Sequence, residues 1–162
     1  MSQHRLELEV RAPTAQVVAL LSVRPATWLR GFLRLATLEA ATNTPALRPT
    51  GVARYRLGPP APGHPEAVAI PLTWWPHLDG DVLFGRFKGR FVVRPAEMGT
   101  ILELEGETTG GPPERAASVL RALLELLGAA VSADQGRITN GHDRRSMTDM
   151  VLRFAGRPPC SR

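Results

Sequence analysis

Three kinds of chemistry could be sought in this chain, and each starts from a few residues. Glu103, Glu105 and Glu107 form a row of carboxylates at spacing two, which would suit paired-carboxylate acid/base work if the row faced a cleft. Their alternation with Leu102 and Leu104 instead places them on the outward side of a strand. His4, His64, His77 and His142 are the four histidines. They fall singly on termini, loops and a turn, so each reads as a solvated imidazole, and with one cysteine no metal framework is expected. Lys88 precedes Gly89 without the glycine spacing of a phosphate loop, and neither Gly-x-Ser-x-Gly nor His-Glu-x-x-His occurs. Cys160, in Pro-Pro-Cys-Ser-Arg, reads as an incidental reduced thiol. The expectation is no catalytic set, no metal and no cofactor. Two hydroxyls remain, those of Tyr55 and Thr108, each in phase with apolar neighbours and able to orient one polar end of an apolar ligand.

The elements that must position those groups follow from periodicity. Arg5 to Arg11 alternates strictly, with Leu6, Leu8 and Val10 on one face, and predicts a half-buried strand. Val17, Val18, Leu20 and Leu21, after Pro13, predict a short helix. Trp28, Leu29, Phe32, Leu33 and Ala36 predict a second one, with an extended 33–38 as the competing reading. Residues 52–57 read as a strand with Tyr55 and Leu57 inward, and 58–66 as a proline-rich connection. Residues 67–75 form a further strand in which Pro71 implies an edge or a bulge. His77 to Asp81 reads as a turn. The clearest hairpin pairs 84–94 with 100–109 across a loop at 95–99. It places Phe87, Phe91 and Val93 on one face and a basic stripe (Arg86, Lys88, Arg90, Arg94) beside the acidic row on the other, where opposite-charge pairs contribute roughly 0.2–1 kcal/mol each.

Glu114 to Ala133 is the strongest helical pattern. Its polar residues trace one narrow stripe, and Ala116, Leu120, Leu123, Leu127 and Ala130 sit in an apolar arc wider than a surface helix needs. Such a helix must lie deep against the strands. The expected division is a domain over 1–133 and a basic tail over 134–162. The tail reads as flexible, apart from a candidate short helix at 146–155 that could contact protein or a membrane surface through 144–157.

The formal charge of +5 and pI near 10.9 invite a nucleic-acid reading. The tail alone carries six Arg and three Asp, more than half of that excess, and the other basic residues are largely matched by acidic ones. Nucleic acid is therefore not an expected partner. No stretch reads as a transmembrane segment, since Arg121 and Glu125 interrupt the longest apolar run, and the alternating N-terminus is unlike a signal peptide. The expected location is cytoplasmic.

The order of strand, two short helices, antiparallel strands and one long apolar helix resembles the START-related (SRPBCC) superfamily of lipid-transfer proteins and polyketide cyclases. The resemblance spans residues 5–133. It is carried by Leu6-Glu7-Leu8-Glu9-Val10-Arg11-Ala12-Pro13 with 17–21, and by Gly106-Glu107 running into the last helix. The middle, from Ile70-Pro71-Leu72-Thr73-Trp74 to Leu102-Glu103-Leu104-Glu105-Gly106, looks like small actinobacterial members. It implies an α+β helix-grip fold: a curved antiparallel sheet wrapped around the C-terminal helix, with an apolar cavity between them. The ligand-facing set would then be Trp28 from the second short helix and Tyr55, Trp74, Phe87, Phe91, Leu102, Leu104 and Thr108 from the strands. Leu120, Leu123 and Leu127 complete it from the last helix. The same aromatics could instead fill the space themselves.

Three functions are consistent with these residues. The first is binding or carriage of a small hydrophobic molecule (lipid, isoprenoid or polyketide-like). The second is a cyclase- or dehydratase-like enzyme in which Tyr55 or an unplaced Arg polarises a carbonyl, favoured by a buried Arg or His beside Tyr55. The third is an interaction module acting through the basic tail.

Overall fold

The computed structural model describes residues 1–22, 29–36, 54–63, 66–75 and 85–140, with side chains placed to residue 133. Trp28, His64, the turn at 77–81, His142, the segment 144–157 and Cys160 lie outside these. The described elements are β1 (Ser2–Val10), α1 (Thr14–Ser22), α2 (29–36), β2 (Arg54–Leu57), β3 (Ala61–Pro62), β4 (Val68–Trp75), β5 (Arg86–Ala96), β6 (Gly99–Thr109) and α3 (Pro113–Asn140). The strands form one antiparallel sheet in the order β1-β6-β5-β4-β2, with β3 also pairing to β4. With two short helices after β1 and the long α3 packed on the sheet, this is the α+β helix-grip arrangement.

Alternation along each strand decides which face is covered. In β1, His4, Leu6, Leu8 and Val10 turn inward, while Gln3, Arg5, Glu7 and Glu9 are exposed. The strand begins three residues before the expected start, because His4 continues the phase of Leu6 and Leu8. α3 lies on the inner face of β1 and β6. Gly128 sets this approach, since a side chain there would overlap that of Leu8. Gly110 and Gly111, at φ 68° and 74°, turn the chain from β6 into α3, a left-handed pair that side chains rarely adopt. The helix runs to Asn140 rather than ending at Ala133.

α2 contributes Leu29, Phe32, Leu33 and Ala36, all at 0% exposure, to one core with α3 and the sheet. Helical periodicity prevails over the extended alternative through residue 36. The stretch Pro113–Ala133 is long and apolar enough to cross a bilayer, with mean hydropathy 1.6, yet more than half of it is buried against the sheet. Burial within the fold, rather than interruption by Arg121 and Glu125, marks it as a core helix.

Pro71 departs from expectation, because it sits in an inner strand. In an antiparallel ladder a residue's N–H and C=O point to the same side, and the Pro71 carbonyl accepts from Gly58 N on the β2–β3 side. Its missing N–H therefore faces the break between β2 and β3, where Gly58-Pro59-Pro60 leaves no ladder to complete. The connection expected over 58–66 likewise contains β3, which returns to β4.

Where β1 meets α1, Thr100 is fully buried. Its hydroxyl donates to the Ala12 carbonyl at 2.6 Å and lies 3.1 Å from the Thr14 hydroxyl. Replacing it by the isosteric valine strands that carbonyl, so Thr100→Val is expected to cost about 1–3 kcal/mol in urea unfolding.

Candidate functional site

Strand register gathers the inward residues into cross-strand rows. One row runs Ser2–Thr108–Phe87–Trp74–Tyr55 across five strands. At a spacing of about 4.8 Å per strand it spans roughly 19 Å. The next runs His4–Gly106–Gly89–Leu72–Leu57, and the third contains Leu6–Leu104–Phe91–Ile70. Four expected ligand-facing residues, Tyr55, Trp74, Phe87 and Thr108, thus share one row at the end of the sheet beside the β6–α3 turn. Phe91 and Leu104 sit four residues further along, past the glycine row, and Leu102 two beyond Leu104, opposite Val93.

All of these except Tyr55 are buried, as are Leu120, Leu123 and Leu127 of α3. Tyr55 is half-buried against the same core. Trp74, Phe87 and Phe91 are at 0% exposure.

The middle row explains how Phe87 is accommodated. Gly89 and Gly106 face each other with no side chains, leaving a trough in the inner face, and the Phe87 ring lies in it. A Cβ built on Gly89 or Gly106 would come within 2.5 Å and 2.8 Å of Phe87 Cζ. Neither glycine could carry a side chain without lifting the ring.

His4 corrects an expectation. It is half-buried on the inner face, with Nε2 2.8 Å from Thr108 Oγ1, rather than solvated. The pair puts the main polar groups of this row and the next at the β1 edge, while Tyr55 occupies the far edge. Burial disfavours the charged imidazole and lowers the His4 pKa from its ordinary 6.5. The unfolded chain then binds more protons than the native one below about pH 6.5. Stability is complete above the unfolded pKa and is lost as pH falls through the folded one. His4→Gln should flatten that slope in a pH series of urea unfolding curves; an unchanged slope would assign it to other groups.

The outward face is an ion-pair surface, as the stripes predicted, with one surprise. Glu103 is 2% exposed because neighbouring side chains close over it. Arg5 grips it through Nε–Oε1 at 2.6 Å and Nη2–Oε2 at 3.3 Å, and Arg94 lies 4.0 Å away while also reaching Glu7. The Glu103 carboxylate, hydrogen-bonded to Arg5, raises the Arg5 pKa. Arg90 pairs with Glu105.

Between the rows Gln3–Glu107–Lys88 and Arg5–Glu105–Arg90 runs an open groove of about 580 Å³, floored by His4, Gly106 and Gly89. Sequence reasoning missed it because it arises from two glycines on different strands.

Among the described residues no group of three or more His, Cys, Asp or Glu is placed to hold a metal. His4 and Tyr55 stand at opposite edges of the sheet, so no acid/base pair forms beside Tyr55 from them.

The sequence matches no protein-family model and no curated protein. Solved structures that it resembles include a Chromobacterium violaceum protein at 16% identity, covering 80% of this chain and 96% of that one, with a TM-score of 0.42. Ara h 8.0201 is similar at 12% identity over 82% of this chain and 98% of its own, with a TM-score of 0.44. The Zhui aromatase/cyclase from Streptomyces is similar at 13% identity over 84% and 93%, with a TM-score of 0.30. At these scores the functional reading rests on the chain's own residues.

Proposed function

We propose that this chain binds a small hydrophobic ligand between the inner face of the sheet and α3, in the lipid, isoprenoid or polyketide-like size range. The observation that carries the reading is the row Thr108–Phe87–Trp74–Tyr55, a broad apolar and aromatic surface with hydroxyls at both ends. An amphipathic ligand would lie along it with its polar end at Thr108 and His4. A neutral imidazole beside a hydroxyl favours an uncharged hydroxyl or carbonyl over a carboxylate. Entry would displace the Phe87 ring from its glycine trough, the adjustment that makes room without moving a strand.

Displacement of an environment-sensitive naphthalene dye by a fatty alcohol, an isoprenoid alcohol and an aromatic polyketide tests the reading. Saturable displacement supports it, and Thr108→Val should weaken ligands with a polar end by about 2- to 10-fold while leaving pure hydrocarbons unaffected. Absence of displacement by any of the three would overturn it.

A further inference from the structure

The two edges of the sheet are built differently. Among the described residues, the β2–β3 edge is broken by Pro59 and Pro60, with Pro62 within β3, features that blunt an edge against further pairing. β1 at the opposite edge has nine residues with no proline, and among the described strands it pairs with β6 alone. Leu6 and Leu8 on β1 stay half-buried, whereas their cross-strand neighbours Leu104 and Leu102 are 1% and 0% exposed. Among the described residues, the core is thus less fully covered on this side.

We propose that β1 pairs antiparallel with β1 of a second copy of this chain, about a two-fold axis through Leu6, joining the two sheets edge to edge. The register follows from three independent constraints. The pleat demands that outward residues oppose outward residues, so the paired numbers must sum to an even value. Full overlap of Ser2–Val10 with itself requires Ser2 opposite Val10, centred on Leu6.

Charge selects the same alignment: Arg5 falls opposite Glu7 of the other copy, twice by symmetry, and Gln3 opposite Glu9. Sliding by two residues in one direction sets Arg5 against Arg5, and in the other Glu7 against Glu7. Both side chains stay exposed while holding their own ion pairs, Arg5 at 70% beside Glu103 and Glu7 at 61% beside Arg94, so the new pairs would extend that network. On the inner face the axis brings Leu6 against Leu6 and His4 against Leu8, covering the half-exposed leucines.

Sedimentation equilibrium of the full chain from low to high micromolar should show a reversible dimer of twice the 17.6 kDa chain mass. Glu7→Lys sets like charges at both symmetric positions and should raise the dimer Kd about tenfold or more. Arg5→Glu should act alike. Mixed together, the two variants regain two opposite-charge pairs and should form a heterodimer that neither forms alone.

Hydrogen exchange on the unaltered chain provides a readout independent of folding in the variants: amides of Ser2–Val10 should gain protection as concentration rises. A monomer at every concentration would overturn the proposal. So would a dimer whose affinity ignores both substitutions and whose β1 amides are indifferent to concentration, since that dimer would use another surface.

Discussion

Phe87→Ala is expected to destabilise the protein by about 3–5 kcal/mol and to open a dry cavity that accepts a benzene-sized guest. The ring is fully buried and its tip rests above Gly89 and Gly106, which have no side chains to fall into the space it leaves. The floor is sheet backbone held by ladder bonds to β4 and β1 on either side, so collapse is limited from below. The cost should therefore lie nearer a retained cavity than a relaxed one. Urea unfolding gives the loss, and unfolding in saturating benzene should recover part of it, because a guest that binds only the native state stabilises it by mass action. A loss below about 1 kcal/mol, with no recovery by benzene, would mean that neighbouring core side chains close the gap.

Gly89→Ala should be as damaging through the opposite defect. A Cβ at this position meets the Glu105 carbonyl oxygen, the Phe87 ring tip at 2.5 Å and Gly106 Cα at 2.8 Å. Two of those three are backbone in a central strand pair and cannot turn aside. One added methyl group should cost about 3 kcal/mol, at the upper end for overpacking. In the Phe87→Ala background the ring contact is gone and the backbone contacts remain, so the penalty should shrink without vanishing. That coupling, read from a double-mutant cycle, measures how far the ring and the glycines act as one unit.

The element order was legible because its signals are local. Leu6, Leu8 and Val10 alternate, Leu120, Leu123 and Leu127 recur at helical spacing, and the inward set on β5 and β6 follows from the same counting. The rows were harder to read because they depend on register. Placing a five-residue loop at 95–99 pairs Arg94 with Thr100, which would set Phe91 against a residue of the outward face.

The structure closes the hairpin at Ala96 and Gly99 around Glu97-Met98. That one-residue correction restores Phe91 opposite Leu104 and brings Gly89 opposite Gly106. Parity alone could have found it, since Phe91 and Leu104 must share a face.

His4 was missed for a different reason. Nearness to the terminus suggested solvent, while its phase with Leu6 and Leu8 already pointed inward. Glu103 shows the limit of alternation itself, which assigns a side to a residue without saying what closes over that side. Long arginine side chains from the flanking strands cover this carboxylate, and nothing in the spacing of β6 announces them.

Native mass spectrometry of the freshly purified chain, followed by solvent extraction of whatever it carries, tests the central claim most directly. The account predicts a stoichiometric apolar adduct on the 17.6 kDa chain. That adduct should be restored by adding back the extracted compound and lost in a folded Leu123→Asp variant. A chain that flies without an adduct, and still does so after incubation with fatty alcohols, isoprenoids and aromatic polyketides, would contradict it. Trp74, Phe87 and Phe91 would then be filling their own core, and function would have to be sought on the outward face.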